Sequence, residues 1–242
     1  MSKFPLALLS LAVLAGCALK YSPPDVDAKA VVQFQDKFQA ALTRSIASDI
    51  QEETIGVASL RISVNRLGRA ASCKAQRARP DLDKQLPIEL TRTAPKAFAR
   101  YIEERCLRTV FPTAPDGMYD KDGQLEVIAP VNVVFSELGS DRWKTGNAQR
   151  RFFREHLLDA QPVDSVGIAV IHFQANGTGC LVDLRPNSTR PADFKLDGAL
   201  QGRLNEACSR LDLSKVPGIG ANPQKQDIGM VALEYAPWTS GR

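Results

Sequence analysis

The chain has 242 residues, 44% of them hydrophobic, enough to bury one large core or two small ones. Its 31 Lys and Arg against 27 Asp and Glu leave a net charge of +4, too mild a balance to demand nucleic acid as a partner.

The N-terminus opens with Lys3 and the apolar run Phe4 to Val13, too short to span a bilayer, and reads as an export signal. It ends in Leu14-Ala15-Gly16-Cys17, which resembles the bacterial lipobox. In that motif the leader is cut before the Cys and the new N-terminal Cys carries the lipid, so residues 1–16 are expected to be removed and Cys17 to be acylated. An ordinary signal peptide cut nearby, or an uncleaved anchor helix, would be the competing readings. Each buried acyl methylene contributes about 0.8 kcal/mol, so several chains on one residue hold a protein to a membrane without a spanning helix. Ala18 follows, where Asp would resemble an inner-membrane retention signal, so the expected place is the outer membrane with the body facing the periplasm. Without Lys3 the net charge is +3.

Residues 17–27 carry Pro23-Pro24 and no periodicity, and are expected to be a tether. Over residues 28–53 the apolar positions Val31, Phe34, Phe38, Leu42, Ile46 and Ile50 recur every three or four residues, an amphipathic helix to about Gln51 with Asp27 as its N-cap. Its apolar stripe needs a surface, either the domain that follows or another protein. Ala58, Leu60, Ile62 and Val64 then alternate with Ser59, Arg61 and Ser63, a half-buried strand. Asn65 to Gly68 turns the chain, and Arg69 to Gln76 returns with Cys73 on it. A polar loop leads to Pro95, suited to a first helical position, and Phe98, Ile102 and Cys106 lie on one face before Phe111-Pro112. After the turn Asp120 to Gly123, Leu125, Val127, Ala129, Val131, Val133 and Phe135 alternate as a strand whose Pro130 requires an edge or a bulge.

Residues 137–162 form a connector with a short helix from Asn147. Arg150, Arg151 and Arg154 flank Phe152 and Phe153 there, candidate contacts for acidic lipid heads or a polyanion, or else a solvated helix face over buried rings.

The pattern then repeats. Gly56 to Asn65 aligns without a gap on Gly167 to Asn176, each followed by a turn glycine and a strand Cys, Cys73 or Cys180. Phe98, Ile102 and Cys106 match Leu200, Leu204 and Cys208, and Val131, Val133 and Phe135 are matched with Val231, Leu233 and Tyr235. The expected fold class is therefore α+β: two tandem β-β-α-β units, at residues 54–136 and 163–242, preceded by the amphipathic helix.

Apart from Cys17 the cysteines are an even set, Cys73, Cys106, Cys180 and Cys208, which favours disulfides in an oxidising compartment. No C-x-x-C pair supports a four-thiolate zinc site, and neither metal nor cofactor is expected. Of the three pairings open to four cysteines, the repeat leaves one with each bridge inside its own unit: Cys73 with Cys106 and Cys180 with Cys208.

A glycine-turned hairpin, one helix and a last strand ending in an aromatic is similar to the C-terminal domain of the TonB and TolA envelope proteins. Val166 to Gly177, the helix face Leu200, Leu204 and Cys208, and Gly229 to Tyr235 carry the resemblance, with an echo from Gly56 to Phe135. In TolA-like members a disulfide also ties sheet to helix. The chain departs from the energy-transducing members in its lipid anchor, in lacking a long Pro-rich spacer and in carrying two copies. The resemblance implies modules that recognise other proteins, in part by offering a sheet edge to a partner's strand.

Hydrolytic chemistry needs a base brought to a nucleophile, and His occurs only as His156 in the connector and His172 on the strand face opposite Ala169, Ile171 and Phe173. No G-x-S-x-G, H-E-x-x-H or phosphate-cradling loop is present, and Asn176-Gly177-Thr178-Gly179 reads as a hairpin turn. No catalytic residue is assigned. The expectation is a non-catalytic outer-membrane lipoprotein that docks envelope proteins, without nucleic acid. The alternatives are a module for peptidoglycan or lipopolysaccharide, which would need a continuous Arg-rich groove, and an envelope hydrolase, which would need paired carboxylates in a pocket. Replacing Cys17 by Ala should abolish lipoprotein processing; identical membrane fractionation of wild type and C17A would refute the anchor.

Overall fold

The computed structural model describes residues 18–19, 26–50, 53–78, 80–84, 86, 91–135, 141–174, 179–219 and 228–239. The leader, Cys17, Pro23-Pro24 and the turn residues 175–178 lie outside the described residues. Asp27 caps the first helix, α1 (Ala28–Ala47), its carboxylate accepting from the backbone N of Lys29 at 3.1 Å. The stripe of Phe34, Phe38, Leu42 and Ile46 is buried, with the Phe38 ring stacked on Phe111 at 4.2 Å. The helix stops at Ala47, short of the expected Gln51, and the turn after it carries Ile50 into the same core.

The class is α+β, and both units have one plan. In the first, β2 (Thr54–Asn65) lies between β3 (Ala70–Gln76) and β4 (Gln124–Phe135), all antiparallel, and α3 (Pro95–Arg108) packs on β3 after a one-turn helix α2 (Pro80–Asp83). In the second, β5 (Gly167–Gln174) lies between β6 (Gly179–Arg185) and β7 (Ile228–Tyr235), and α5 (Gly198–Ser209) packs on β6. The tether contributes structure too: β1 (Ala18–Leu19) pairs with Ile128 and Val127 of β4. Pro130 sits in register opposite Ser59 without a bulge, beyond the residues β1 covers. A proline has no N–H to give to β2, and its carbonyl accepts from the Gln39 side chain at 3.1 Å, so it occupies the edge as its chemistry requires.

Register also refines the internal repeat. Cys73 faces Ile62 and Cys180 faces Phe173, equivalent positions of the two central strands, so the hairpins superpose as aligned. The last strands do not. Val131 faces Ala58 and Val133 faces Gly56, whereas Leu233 faces Ala169 and Tyr235 faces Gly167. Val131 thus corresponds to Leu233 and Val133 to Tyr235, two residues from the match read in the sequence. A two-residue slip returns every side chain to the same face, so the alternation alone could not detect it.

Each unit has its own apolar core. Phe98, Ile102 and Cys106 join the α1 stripe and the inner faces of β2 and β4 in one; Leu200, Leu204, Cys208, Ile171, Phe173 and Leu233 form the other. Cys73 is bonded to Cys106 with Cα atoms 6.1 Å apart, and Cys180 to Cys208 with Cα atoms 5.4 Å apart, each bridge tying the second strand to the helix that lies on it.

The connector helix departs from its expected start. It begins at Asp141 and runs to Phe153 (α4), then widens over Arg154–Leu158 into π-type turns, marked by the Asp159 N–H donating to the Arg154 carbonyl at 3.0 Å. Asn147, read as a helix start, is fully buried inside it. Phe153, Leu157 and Leu158 put this helix in the second core. A small cluster of Val110, Val166 and Ala236 joins the units.

Opening the 28-residue span between Cys180 and Cys208 releases loop-closure entropy of about 3.6 kcal/mol in the chain-entropy model. Changing Cys180 to Ser should therefore lower the unfolding midpoint of the second unit and leave the first nearly unchanged, as read by urea denaturation with tryptic mapping; equal loss from both units would contradict separate cores.

Candidate binding cleft

Where the units meet, α1 from the first core and α4 from the second border one cleft, and one side chain joins them. The last four carbonyls of a helix have no partner within it. The Asn147 amide donates to the carbonyls of Ala47 at 3.0 Å and Ile50 at 2.7 Å, closing the end of α1 from a different helix. Its oxygen accepts from Arg150 at 2.6 Å, so both ends of the amide are used. Tyr101 of α3 donates its hydroxyl to the Ile46 carbonyl nearby, and burial raises its pKa above the usual phenol value.

The junction leaves a cleft of ≈ 1110 Å³ between α1, the C-terminal end of α3, α4 and β7. Its walls mix apolar groups with arginines. Met230 is 66% exposed, Val32 54% and Trp143 42%, and all three line it. The three arginines picked out in the sequence, Arg150, Arg151 and Arg154, are together here, joined by Arg44, Arg105 and Arg108. Arg44 pairs with Glu234 at 3.1 Å across the units, and Arg105 with Asp49 at 2.6 Å. Among the described residues the other four guanidiniums have no carboxylate within ion-pairing distance. Arg154 reaches only a backbone acceptor, the Glu234 carbonyl at 3.2 Å, and the Nε of Arg151 is buried with no hydrogen-bond partner.

Burial sets the charge balance. It holds the pKa of Arg154 below its ordinary value against the opposing charge of Asp159, with the like charges of Arg105 and Arg108 adding to the depression. Burial likewise lowers Arg150 and raises Asp159 against the pull of Arg154. Arg154 and Asp159 thus both move toward their neutral forms, because desolvation outweighs their attraction.

The same strand-to-helix device seals one edge of each sheet. The Glu103 carboxylate accepts from the Ala75 N–H at 2.7 Å, and the Asn205 amide accepts from the Val182 N–H at 2.7 Å and donates to the Val182 carbonyl at 3.3 Å. Ala75 and Val182 each lie two residues past the strand Cys, and Glu103 and Asn205 each three before the helix Cys. On β7 no strand lies on the outer side among the described residues. The Glu234 carbonyl points there, toward Arg154, so by alternation the backbone groups of Ala232 and Met230 also face outward, into the cleft.

His156 stacks on Phe152 at 4.3 Å, and His172 Nε2 lies 3.7 Å from an Asp183 carboxylate oxygen across the sheet; neither lines the cleft. Of the cleft carboxylates, Asp49 and Glu234 are each held by an arginine, and Asp36 lies on α1. Among the described residues no group of three or more His, Cys, Asp or Glu is placed to hold a metal ion, and no helix is long and apolar enough to cross a membrane. Sequence reading missed Arg105 and Arg108 because cations in the last turn of a helix already have a dipole to complement, and missed Arg44 because it sits on the polar face of an amphipathic helix. No protein-family model, curated protein or solved structure matches this chain.

Replacing Asn147 by Ala would leave unsatisfied the carbonyl of Ala47, at the end of α1, and that of Ile50, in the turn after it, a cost of about 1–3 kcal/mol. Chemical denaturation should show that loss, with faster amide exchange in the last turn of α1; a change under 0.5 kcal/mol, about the scatter of surface substitutions, would mean that water replaces the amide.

Proposed function

We propose that this protein is a non-catalytic outer-membrane lipoprotein, anchored through Cys17, whose periplasm-facing body docks other proteins of the cell envelope through two modules similar to the TonB and TolA C-terminal domain. One observation carries the docking part. Helix side chains seal the outer edges of β3 and β6 in the same way, β1 and Gln39 occupy part of the β4 edge, and β7 keeps outward backbone groups at Met230 and Ala232 beside a cleft. A protein that needed no strand partner would be expected to blunt this edge as it blunts the others. The positions of His156 and His172, each occupied with a local neighbour outside the cleft, support a role that does not turn on proton transfer.

A photoreactive residue at exposed Leu67, in a turn outside the cleft, gives a background for capture of envelope proteins from intact cells. With the same probe at Ala232, a discrete partner should appear. Met230→Pro removes an outward N–H that the sheet does not use and should abolish that capture while the fold is kept. His156→Gln combined with His172→Gln should leave it at the wild-type level. Capture that survives the proline, or that is lost with the histidines while the protein stays folded, would overturn the docking reading or its non-catalytic part respectively.

A further inference from the structure

The arginines of the cleft are placed for a ligand that the docking of proteins does not require. Arg150, Arg151 and Arg154 fall at successive, and then one-turn-apart, positions of α4 and its π-type extension, and Arg108 comes from the end of α3, so two elements from different units aim guanidiniums at one space. A buried charge without a counter-ion is unfavourable, and surface arginines ordinarily swing to water. Here Asn147 and the Glu234 carbonyl hold Arg150 and Arg154 in place, while Arg151 keeps a buried, unpartnered N–H. Of the three carboxylates that line the same space, Asp49 and Glu234 are taken by Arg105 and Arg44, and Asp36 of α1 makes no ion pair with the four arginines. The site thus has more forked guanidinium donors than the carboxylates lining it engage.

The same lining carries apolar side chains open to solvent, Val32 of α1, Trp143 of α4 and Met230 of β7. A free inorganic anion would use the arginines and leave those side chains wet, and an ordinary apolar ligand would leave the guanidiniums unpaired. We propose that the cleft binds an anionic amphiphile, a phosphate monoester head on the four unpaired arginines with an acyl body against Val32, Trp143 and Met230. A phosphate carries close to two charges near neutral pH and three acceptor oxygens, so one head can engage several guanidiniums at once. The volume of ≈ 1110 Å³ accommodates head and short chains together. The inference stands on the cleft alone, and neither the lipid anchor nor protein docking is needed for it.

Trp143 in the wall reports occupancy. The full-length protein in a nonionic detergent is titrated with dihexanoyl phosphatidic acid, with dihexanoyl phosphatidylcholine, with inorganic phosphate and with an acidic peptide of alternating Glu and Val, following tryptophan emission. Phosphatidic acid should give a saturable change that Trp143→Phe removes. Phosphatidylcholine, which is zwitterionic, and inorganic phosphate, which has no apolar body, should each bind about tenfold or more weakly. Arg108→Gln with Arg151→Gln removes two charge-assisted contacts and should weaken phosphatidic acid about a hundredfold. Arg108→Lys with Arg151→Lys, which keeps charge but not the fork, should fall between. Arg185→Gln, on β6 at the edge of the sheet away from β7 and outside the cleft, serves as the control for folding and net charge and should leave the midpoint unchanged. Equal affinity for phosphatidylcholine, or an unchanged midpoint in the double Gln variant, would overturn the site. Inorganic phosphate binding as tightly as the lipid would reduce it to an oxyanion site, and tighter binding of the peptide would assign it to a protein segment; either result refutes the amphiphile.

Discussion

The structure turns on one amide. Asn147 belongs to a helix packed in the second core and uses its two N–H groups on the carbonyls at the end of a helix packed in the first. Helix ends must find partners somewhere, and water supplies most of them. Supplying them from another unit's side chain fixes an angle and a distance between two bodies that otherwise share a small cluster around Val110, Val166 and Ala236. α4 packs against β7 within the second core, and the Asn147 tie sets how that pair faces α1 and so brings arginines of both units to one cleft. Arg44 with Glu234 adds a second tie across the units, partly exposed and so worth little by itself.

The repeat explains why each half can be so small. Each unit has a single helix covering one three-stranded sheet, and each adds the same two devices to that layer: a bridge from strand to helix, and a helix side chain that occupies the edge of the bridged strand. The first keeps the helix on the sheet, and the second keeps other strands off its edge. The units then diverge in what they add. The first recruits α1 and β1, and the second recruits α4 and, among the described residues, has no strand on the outer side of β7.

Much of this was legible in the sequence where a residue's role is local. The strict alternation from Ala58 to Val64, the helix faces Phe98-Ile102-Cys106 and Leu200-Leu204-Cys208, and the glycine-marked first hairpin specify elements by period and turn chemistry alone, and the cysteines fall where those elements meet. Three features escaped. The last strand of the second unit was matched two residues out of place, because alternation repeats every two residues. Asn147 looked like a helix start, since asparagine favours caps, and its burial inside a helix depends on a partner a hundred residues away in sequence. Arg150, Arg151 and Arg154 were visible as a cluster, but Arg44, Arg105 and Arg108 come from other elements that only tertiary packing gathers around the same cleft.

The central claim is that the two units form one body with a cleft of fixed width between α1 and β7. Val32 and Met230, exposed on its opposite walls, are suited to paired spin labels on introduced cysteines, with the distance read by pulsed electron resonance in the full-length protein. The account predicts one narrow distance distribution, which widens when Asn147 is replaced by Ala. A broad distribution in the otherwise unaltered protein would contradict it, since units free to rotate cannot hold the arginines on one space.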